Sequence, residues 1–532
     1  MILVRNIRLP LSCGEQEAGA RALKLLHLAP GRVAHCGVAK LSVDARRGAP
    51  VLVYTMAVTL KDEGEESAFA GASPYVCISH KPVFRFPKAG TPLEHPPVVC
   101  GLGPAGLFAA LLLARSGYRP VVLERGPALE DRVRAVEHFE KTGELDPNAN
   151  LQFGEGGAGT FSDGKLTTRV GDPLCAFVTE ALLEHGAPKD IAWRQKPHVG
   201  TDLLRGVITS VRQEIERLGG TVRFNTPLTG LRTRNGRLCA AVTPQGEIPC
   251  ETLILAVGHS ARDTFAMLHG LELPMECKPF SVGMRAEHLQ TEIEKSLYHA
   301  AAGHPVLPHG EYQLSQHVGQ RCVYTFCMCP GGRVMAAASE EGGVVTNGMS
   351  YHARSGPNAN AAVVVSVDGR DFGDDPARAV RFQQELERAA YRAGAPAAPY
   401  AAPAETVGSF LEGRGALELG AVQPTYPRGV VPYDLGSLLP AELAGTLRTG
   451  LRAFGRKMAA YRAPDAVLTG LETRTSSPVR LLRGEDLECL GMPGLYPCGE
   501  GAGYAGGIMT AAVDGVRCVA QLMSGHMPSP GC

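Results

Sequence analysis

Residues 98–125 restrict this chain more than any other stretch. A short apolar run, Val-Val-Cys, meets Gly101, Gly103 and Gly106 in G-x-G-x-x-G spacing. An apolar helical stretch follows, and a second short strand over 120–123 leads into Glu124 and Arg125. Each part has a mechanical task in a dinucleotide site. Gly101 permits the tight turn, Gly103 lets the backbone approach a pyrophosphate, and Gly106 lets helix and strand pack closely. The helix, opened by Pro104 and Ala105, presents free N–H groups and the positive end of its dipole to the phosphates. Glu124 stands 23 residues after Gly101, where a carboxylate accepts hydrogen bonds from ribose hydroxyls, with Arg125 beside it.

Three more segments bear on which dinucleotide binds. Residues 152–165, QFGEGGAGTFSDGK, are rich in glycine. Gly156, Gly157 and Gly164 imply close backbone approach. Their interleaving with Thr160, Ser162, Asp163 and Lys165 reads as a loop wrapped round a polar ligand. Residues 252–263 form a buried strand that ends at Gly258 and turns beneath the cofactor. Residues 494–515 carry a strand ending at Gly499-Glu500, where Glu500 can hold ribityl hydroxyls. A helix starting near Gly506, Gly507 and Ile508 would then aim its positive end at a flavin ring. Contacts from both ends of the chain suit a ligand as long as FAD.

Composition narrows the classes. The 532 residues allow roughly three or four domains. Lys plus Arg equals Asp plus Glu, so there is no bulk electrostatic footprint for nucleic acid or an anionic membrane. The N-terminus breaks its apolar run with charge and lacks a signal-peptide pattern, and no apolar run is long enough to span a bilayer. The 15 cysteines are scattered, which fits free thiols in a reducing cytoplasm. No C-x-x-C pair or histidine cluster argues for a metal.

Residues 1–80 read as strand, helix (14–28), strand (33–43) and strand (51–60), an α+β unit of ferredoxin-like type. Asp44, Arg46 and Arg47 form a charged turn, read as a solvated hairpin tip. Residues 81–96 carry repeated prolines and read as an extended linker. The fold class is α/β: a Rossmann-type FAD-binding domain over 97–275 and 485–532, with an α+β substrate or cap domain over 276–484. A meander is expected at 228–248, with turns at 234–236 and 244–246.

The longer motifs carry a resemblance. QFGEGGAGTFSDGKLTT (152–168), TFCMCPGG (325–332), NGMS (347–350), ETRTSSPVR (472–480) and CGEGAGYAGGI (498–508) are long and specific. With the fingerprint, they make the chain resemble bacterial FAD-dependent dehydrogenases, also described as NAD-utilising dehydrogenases, with a glutathione-reductase-like FAD fold. The resemblance implies non-covalent FAD and specifies no substrate.

The residues that would carry chemistry are fewer. Lys165 could stabilise negative charge near flavin N5, or simply pair with Asp163. Arg474 and Arg480 could clamp a substrate carboxylate or phosphate, with a structural ion pair as the other reading. Tyr504 is a candidate donor or a packing ring. Cys322 and Cys327 have the C-x-x-x-x-C spacing of a redox disulfide, but they lie on a predicted strand where positions five apart face opposite sides; Cys327 and Cys329 share a face but are too local for an easy disulfide. Cys498, near a helix N-terminus, could be acidified. Trp193 is the single tryptophan, against a halogenase. No histidine adjoins the glycine loop to anchor FAD covalently. No second G-x-G-x-x-G is read in the chain, so no dedicated NAD(P)H domain is evident; NAD(P)H would dock transiently, or the electrons come from elsewhere. The expected enzyme is a cytoplasmic FAD-dependent oxidoreductase exchanging a hydride between flavin and a small organic substrate, with NAD(P)H as the other partner. The alternatives are a flavin monooxygenase or oxidase, or an FAD-bearing protein that binds RNA or another macromolecule through residues 1–80.

Overall fold

The computed structural model describes all residues except 47, 72, 169 and 530–532. The first sheet uses strands Ile2–Pro10, Val33–Asp44, Val51–Leu60 and Val76–Ile78 in spatial order second, third, first, fourth, all antiparallel. Strict alternation buries Leu52, Tyr54, Met56, Val58 and Leu60 beneath the helix Glu15–Leu25, the period-2 pattern of a half-covered sheet. This is the ferredoxin-like order, with a short 3-10 segment, Glu63–Phe69, in place of a second helix. Basic residues here are drawn into local pairs. Arg8 and Arg46 both bond Asp44, and Arg32 pairs with Glu65. Arg47, the third member of the expected charged turn, lies outside the described residues.

The proline-rich segment after this sheet is extended and fastened down. Thr91–Pro92 pairs with His526–Met527, and Phe84 and Phe86 pack edge-on against Phe177. The start of the nucleotide unit is thereby tied to the last helix.

The second sheet is parallel. Its order is Leu495–Pro497, Leu253–Leu255, Val98–Cys100, Val121–Leu123, Thr221–Arg223. The inner strands are short, apolar and buried, as a helix-covered parallel sheet requires, while the edge strand Thr221–Arg223 is largely exposed. Helices Pro104–Arg115 and Ile508–Gly525 cross closely; a Cβ on Gly515 would lie 2.1 Å from the Ala105 carbonyl oxygen. The expected meander forms from Gly230–Arg234, Arg237–Thr243 and Gly246–Pro249.

Residues between these strands build a seven-stranded, mainly antiparallel sheet. Its centre is Arg321–Cys329, Asn358–Val367, Phe280–Leu289 and Val467–Glu472. Helices Pro376–Gly394 and Ala441–Lys457 contribute to its core. Among the described residues no helix is long and apolar enough to cross a membrane.

Candidate active site

One cavity lies where the parallel sheet meets the seven-stranded sheet, with an empty space of about 1520 Å³ including its open mouth. Gly101, Gly103, Pro104 and Ala105 form its floor. Gly101 has φ 98° and a Cβ there would sit 2.3 Å from the Ala256 carbonyl oxygen. Gly157, at φ 61°, brings the second glycine loop against the first; its Cβ would lie 2.9 Å from Gly103 Cα. Two loops meeting backbone to backbone leave a cradle without side chains, as a pyrophosphate needs.

Glu124 organises that cradle. Its Oε2 accepts from the Leu102 N–H at 2.8 Å, and its Oε1 accepts from Gly126 and Gly154 at 2.9 and 3.0 Å. A carboxylate offers about four acceptor sites, so three bonds leave capacity for a ribose hydroxyl. Arg125 pairs with Asp263 through both terminal nitrogens and stacks 4.2 Å from the Phe153 ring centroid. Arg132, which motif reading passed over, is fully buried and holds the glycine loop from behind. It donates to the carbonyls of Asn150, Leu151, Gly154 and Glu155. Its only advance signal is a lone arginine on the buried face of the helix Leu129–Thr142.

The predicted site residues separate. Ser162, Lys165, Gly258, Glu500, Gly507 and Ile508 reach the cavity wall with the fingerprint residues. Gly106, Gly156, Thr160, Gly164, Gly499 and Gly506 do not line it. A Cβ on Gly106 would meet the Gly101 oxygen at 1.8 Å, so this glycine serves helix packing. Gly156 donates to the Leu102 carbonyl, the Thr160 hydroxyl accepts from Arg132, and Gly164 donates to Ser162 Oγ. The Gly499 N–H donates to Asp514, and the Gly506 N–H to Thr510. G-x-G-x-x-G spacing does recur at Gly154–Gly159 and Gly501–Gly506. The second of these joins strand Leu495–Pro497 of the same parallel sheet to helix Ile508–Gly525, so it completes this cavity and heads no separate nucleotide domain.

Several chemical expectations need correction. Arg474 reaches the wall, but its guanidinium is fully engaged by Glu387, Ser260 and Ser339, so it is no free clamp. Arg480 pairs with Glu276. The Tyr504 hydroxyl donates to the Leu481 carbonyl and accepts from the Arg483 N–H, and its ring stacks under Arg483, away from the cavity. Cys498 ends a strand and is buried; the Cys518 thiol, then burial, push its pKa well up, the opposite of acidification. His198 does adjoin the glycine loop in space, through a backbone bridge to Lys165, but its Nε2 faces the His352 carbonyl and it is absent from the wall.

Burial opposes charge on Lys165, yet Asp163, 2.6 Å away, and Glu311 outweigh it and hold its pKa above the ordinary value. It therefore stays a cation at the wall. Burial, then Arg474 and Arg262, press His259 down to about 3, so that imidazole is neutral. Burial pushes Glu500 up to about 7, with Lys278 offsetting part of the effect.

The last value gives an expected pH dependence. A carboxyl with a raised folded pKa keeps more protons in the folded than in the unfolded state. Its stabilising contribution is present below the ordinary value of 4.5 and is lost as pH rises through about 7. Urea unfolding of the cofactor-free protein should show stability falling over that interval, and Glu500→Gln should flatten the profile. An identical slope in the variant would refute the assignment.

Sequence comparison adds to this geometry. Residues 279–475 match the family described as "FAD-dependent protein, C-terminal domain-like". A protein of Clostridium beijerinckii, described only as uncharacterized, is 44% identical over 529 residues, covering 98% of each chain. The chain belongs to this FAD-dependent family. Its cofactor is FAD, and the glycine cradle, Glu124 and the Gly507–Ile508 helix start fit that group. Among solved structures it is similar to Bacillus cereus glycine oxidase, at 10% identity, 82% and 99% coverage of the two chains and TM-score 0.34. It is also similar to Proteus vulgaris L-amino acid deaminase, at 14% identity, 84% and 97% coverage and TM-score 0.32.

Proposed function

We propose that this FAD-dependent oxidoreductase is a dehydrogenase or reductase that exchanges a hydride with a small organic substrate and uses NAD(P)H in its other half-reaction. Bound FAD supplies the hydride acceptor and donor. In this reading residues 97–275 and 485–532 bind FAD, and residues 276–484 form the substrate side. The carrying observation is a cavity walled both by the fingerprint loop and by Phe326 and Glu472 of the seven-stranded sheet. Gly101, Gly103, Pro104 and Ala105 seat the pyrophosphate, and Glu124 and Arg125 hold the adenosine end. Glu500 orients the ribityl chain, and the start of helix Ile508–Gly525 favours negative charge beside it. Lys165, kept protonated by its two acids, stabilises charge that develops at the reacting end. Arg474 shapes the wall through its pairing with Glu387.

The test is anaerobic. The purified protein should carry the visible flavin absorbance, and NADH or NADPH should bleach it. Protein without flavin that also refuses added FAD would end the reading; bound flavin bleached by neither nucleotide would remove NAD(P)H from it. Oxygen uptake coupled to NAD(P)H oxidation would instead support the oxidase alternative.

A further inference from the structure

Strand Arg321–Cys329 loses register between Phe326, opposite Ala362, and Cys329, opposite Asn360. Two residues, Cys327 and Met328, therefore face one, Ala361. A bulge of this kind re-aims a side chain, and Cys327 sits at φ 44°. The expected alternation is broken here. Cys327 comes to the cavity wall with Phe326 and Glu500, while Cys329 is fully buried behind it. The Cys329 thiol donates to the Cys327 carbonyl at 3.4 Å. Arg285 donates to the same carbonyl at 3.0 Å and is itself clamped by Glu472 and Asn360. The bulge is thus fixed by a buried guanidinium.

We propose that Cys327 and Cys329 form a redox-active dithiol, Cys327 exposed to the cavity and Cys329 resolving, that passes two electrons between the flavin and a small thiol–disulfide substrate. The proposal rests on the oxidoreductase reading above, and names its substrate class. The Cys327–Cys329 disulfide accepts two electrons and two protons; its Sγ–Sγ bond breaks to two thiols while the reduced cofactor is oxidised. A nicotinamide hydride donor re-reduces the cofactor. The Cys327 thiolate then attacks the substrate disulfide, one substrate thiol leaves with a proton, and Cys329 displaces the second to restore the disulfide. The electrostatics suit an attacking thiolate. The neighbouring Cys329 side chain, then the charges of Arg285 and Lys165, hold the Cys327 thiol below its ordinary value against the opposing effect of burial.

Three measurements on the FAD-bound protein test this. Reductive titration should consume four electrons per flavin in the wild type and two in Cys327→Ser or Cys327→Ala. Peptide mass spectrometry after treatment with diamide should find residues 327–329 two hydrogens lighter, and Cys322→Ser should leave that result unchanged. Alkylation of Cys327 should follow a midpoint below that of an ordinary thiol, and in Cys329→Ala, which removes the donor, its rate at neutral pH should fall roughly tenfold as the thiol returns toward its ordinary value. Two-electron uptake by flavin-loaded wild type, or an intact dithiol after diamide, would overturn the proposal and leave the oxidoreductase reading standing. Failure to bind FAD would remove the reading itself.

Discussion

Gly101→Val should yield a protein with little or no FAD and reduced stability. The residue needs φ 98°, and its added Cβ would meet the Ala256 oxygen at 2.3 Å and the carbonyl carbon at 2.8 Å. The left-handed conformation costs a non-glycine residue about 1–2 kcal/mol. Relieving a clash with backbone at the end of a central strand adds about 1–3 kcal/mol. The turn would open, and with it the approach of Gly157 to Gly103 on which the phosphate cradle depends. The flavin-to-protein absorbance ratio and denaturant unfolding check both parts. Gly506→Ala is the control: its Cβ meets nothing within 4 Å, so FAD content should be unchanged. Full flavin loading of Gly101→Val would contradict the assigned role of the turn.

Glu387→Ala should be among the most destabilising single changes in the chain. Glu387 is 1% exposed and accepts five hydrogen bonds: two from Arg262, two from Arg474 and one from Thr473. Its removal would strand two buried guanidiniums, and breaking a buried ion pair costs about 3–5 kcal/mol. Arg262 opens the helix after the cofactor strand, Glu387 lies on Pro376–Gly394, and Arg474 follows Val467–Glu472. The loss should therefore loosen the join between the parallel sheet and the seven-stranded sheet. Burial works against the Glu387 charge, but Arg262 and Arg474 overcome it and hold its pKa well below the usual carboxylate range. Its stabilisation is present at neutral pH and is lost as pH falls below the ordinary value toward the folded one. Chemical unfolding across acidic pH should show the wild type losing this contribution and the variant lacking it. Replacing all three residues, Glu387→Leu with Arg262→Met and Arg474→Met, should cost less than Glu387→Ala alone, because the one charge left without its partner, Glu340, is partly exposed to water. A triple variant weaker than the single one would mean that the cluster stabilises by more than neutralising its own charges.

Much of the nucleotide half was legible because its signals are local. Within residues 98–125, steric needs at Gly101 and Gly106, an apolar helix and a terminal acid are specified by residues a few positions apart. The same holds for the first sheet, where period-2 alternation along 51–60 is enough to define a buried face. Reading failed where side chains meet across the chain. Arg474 reads equally as a clamp or as half of an ion pair, and its partner could not be named because Glu387 is 87 positions away. Tyr504 looked like a donor to substrate because its partner, Leu481, is recruited by the fold. Arg132 carried no motif, and its acceptors are backbone carbonyls that sequence cannot place.

The sequence by itself determined that this chain builds a dinucleotide cradle from glycine loops drawn from both of its ends. It could do so because backbone conformation and the absence of a Cβ are properties of single residues. Only the tertiary structure decided which charges remain available there and which thiol faces the cavity. Arg285 and Glu472 pair from 187 positions apart, and the bulge at Cys327 arises from a mismatch in length between two paired strands. Neither is a property of any local stretch. Both follow from burial, which compels each charge to find a partner wherever the fold supplies one.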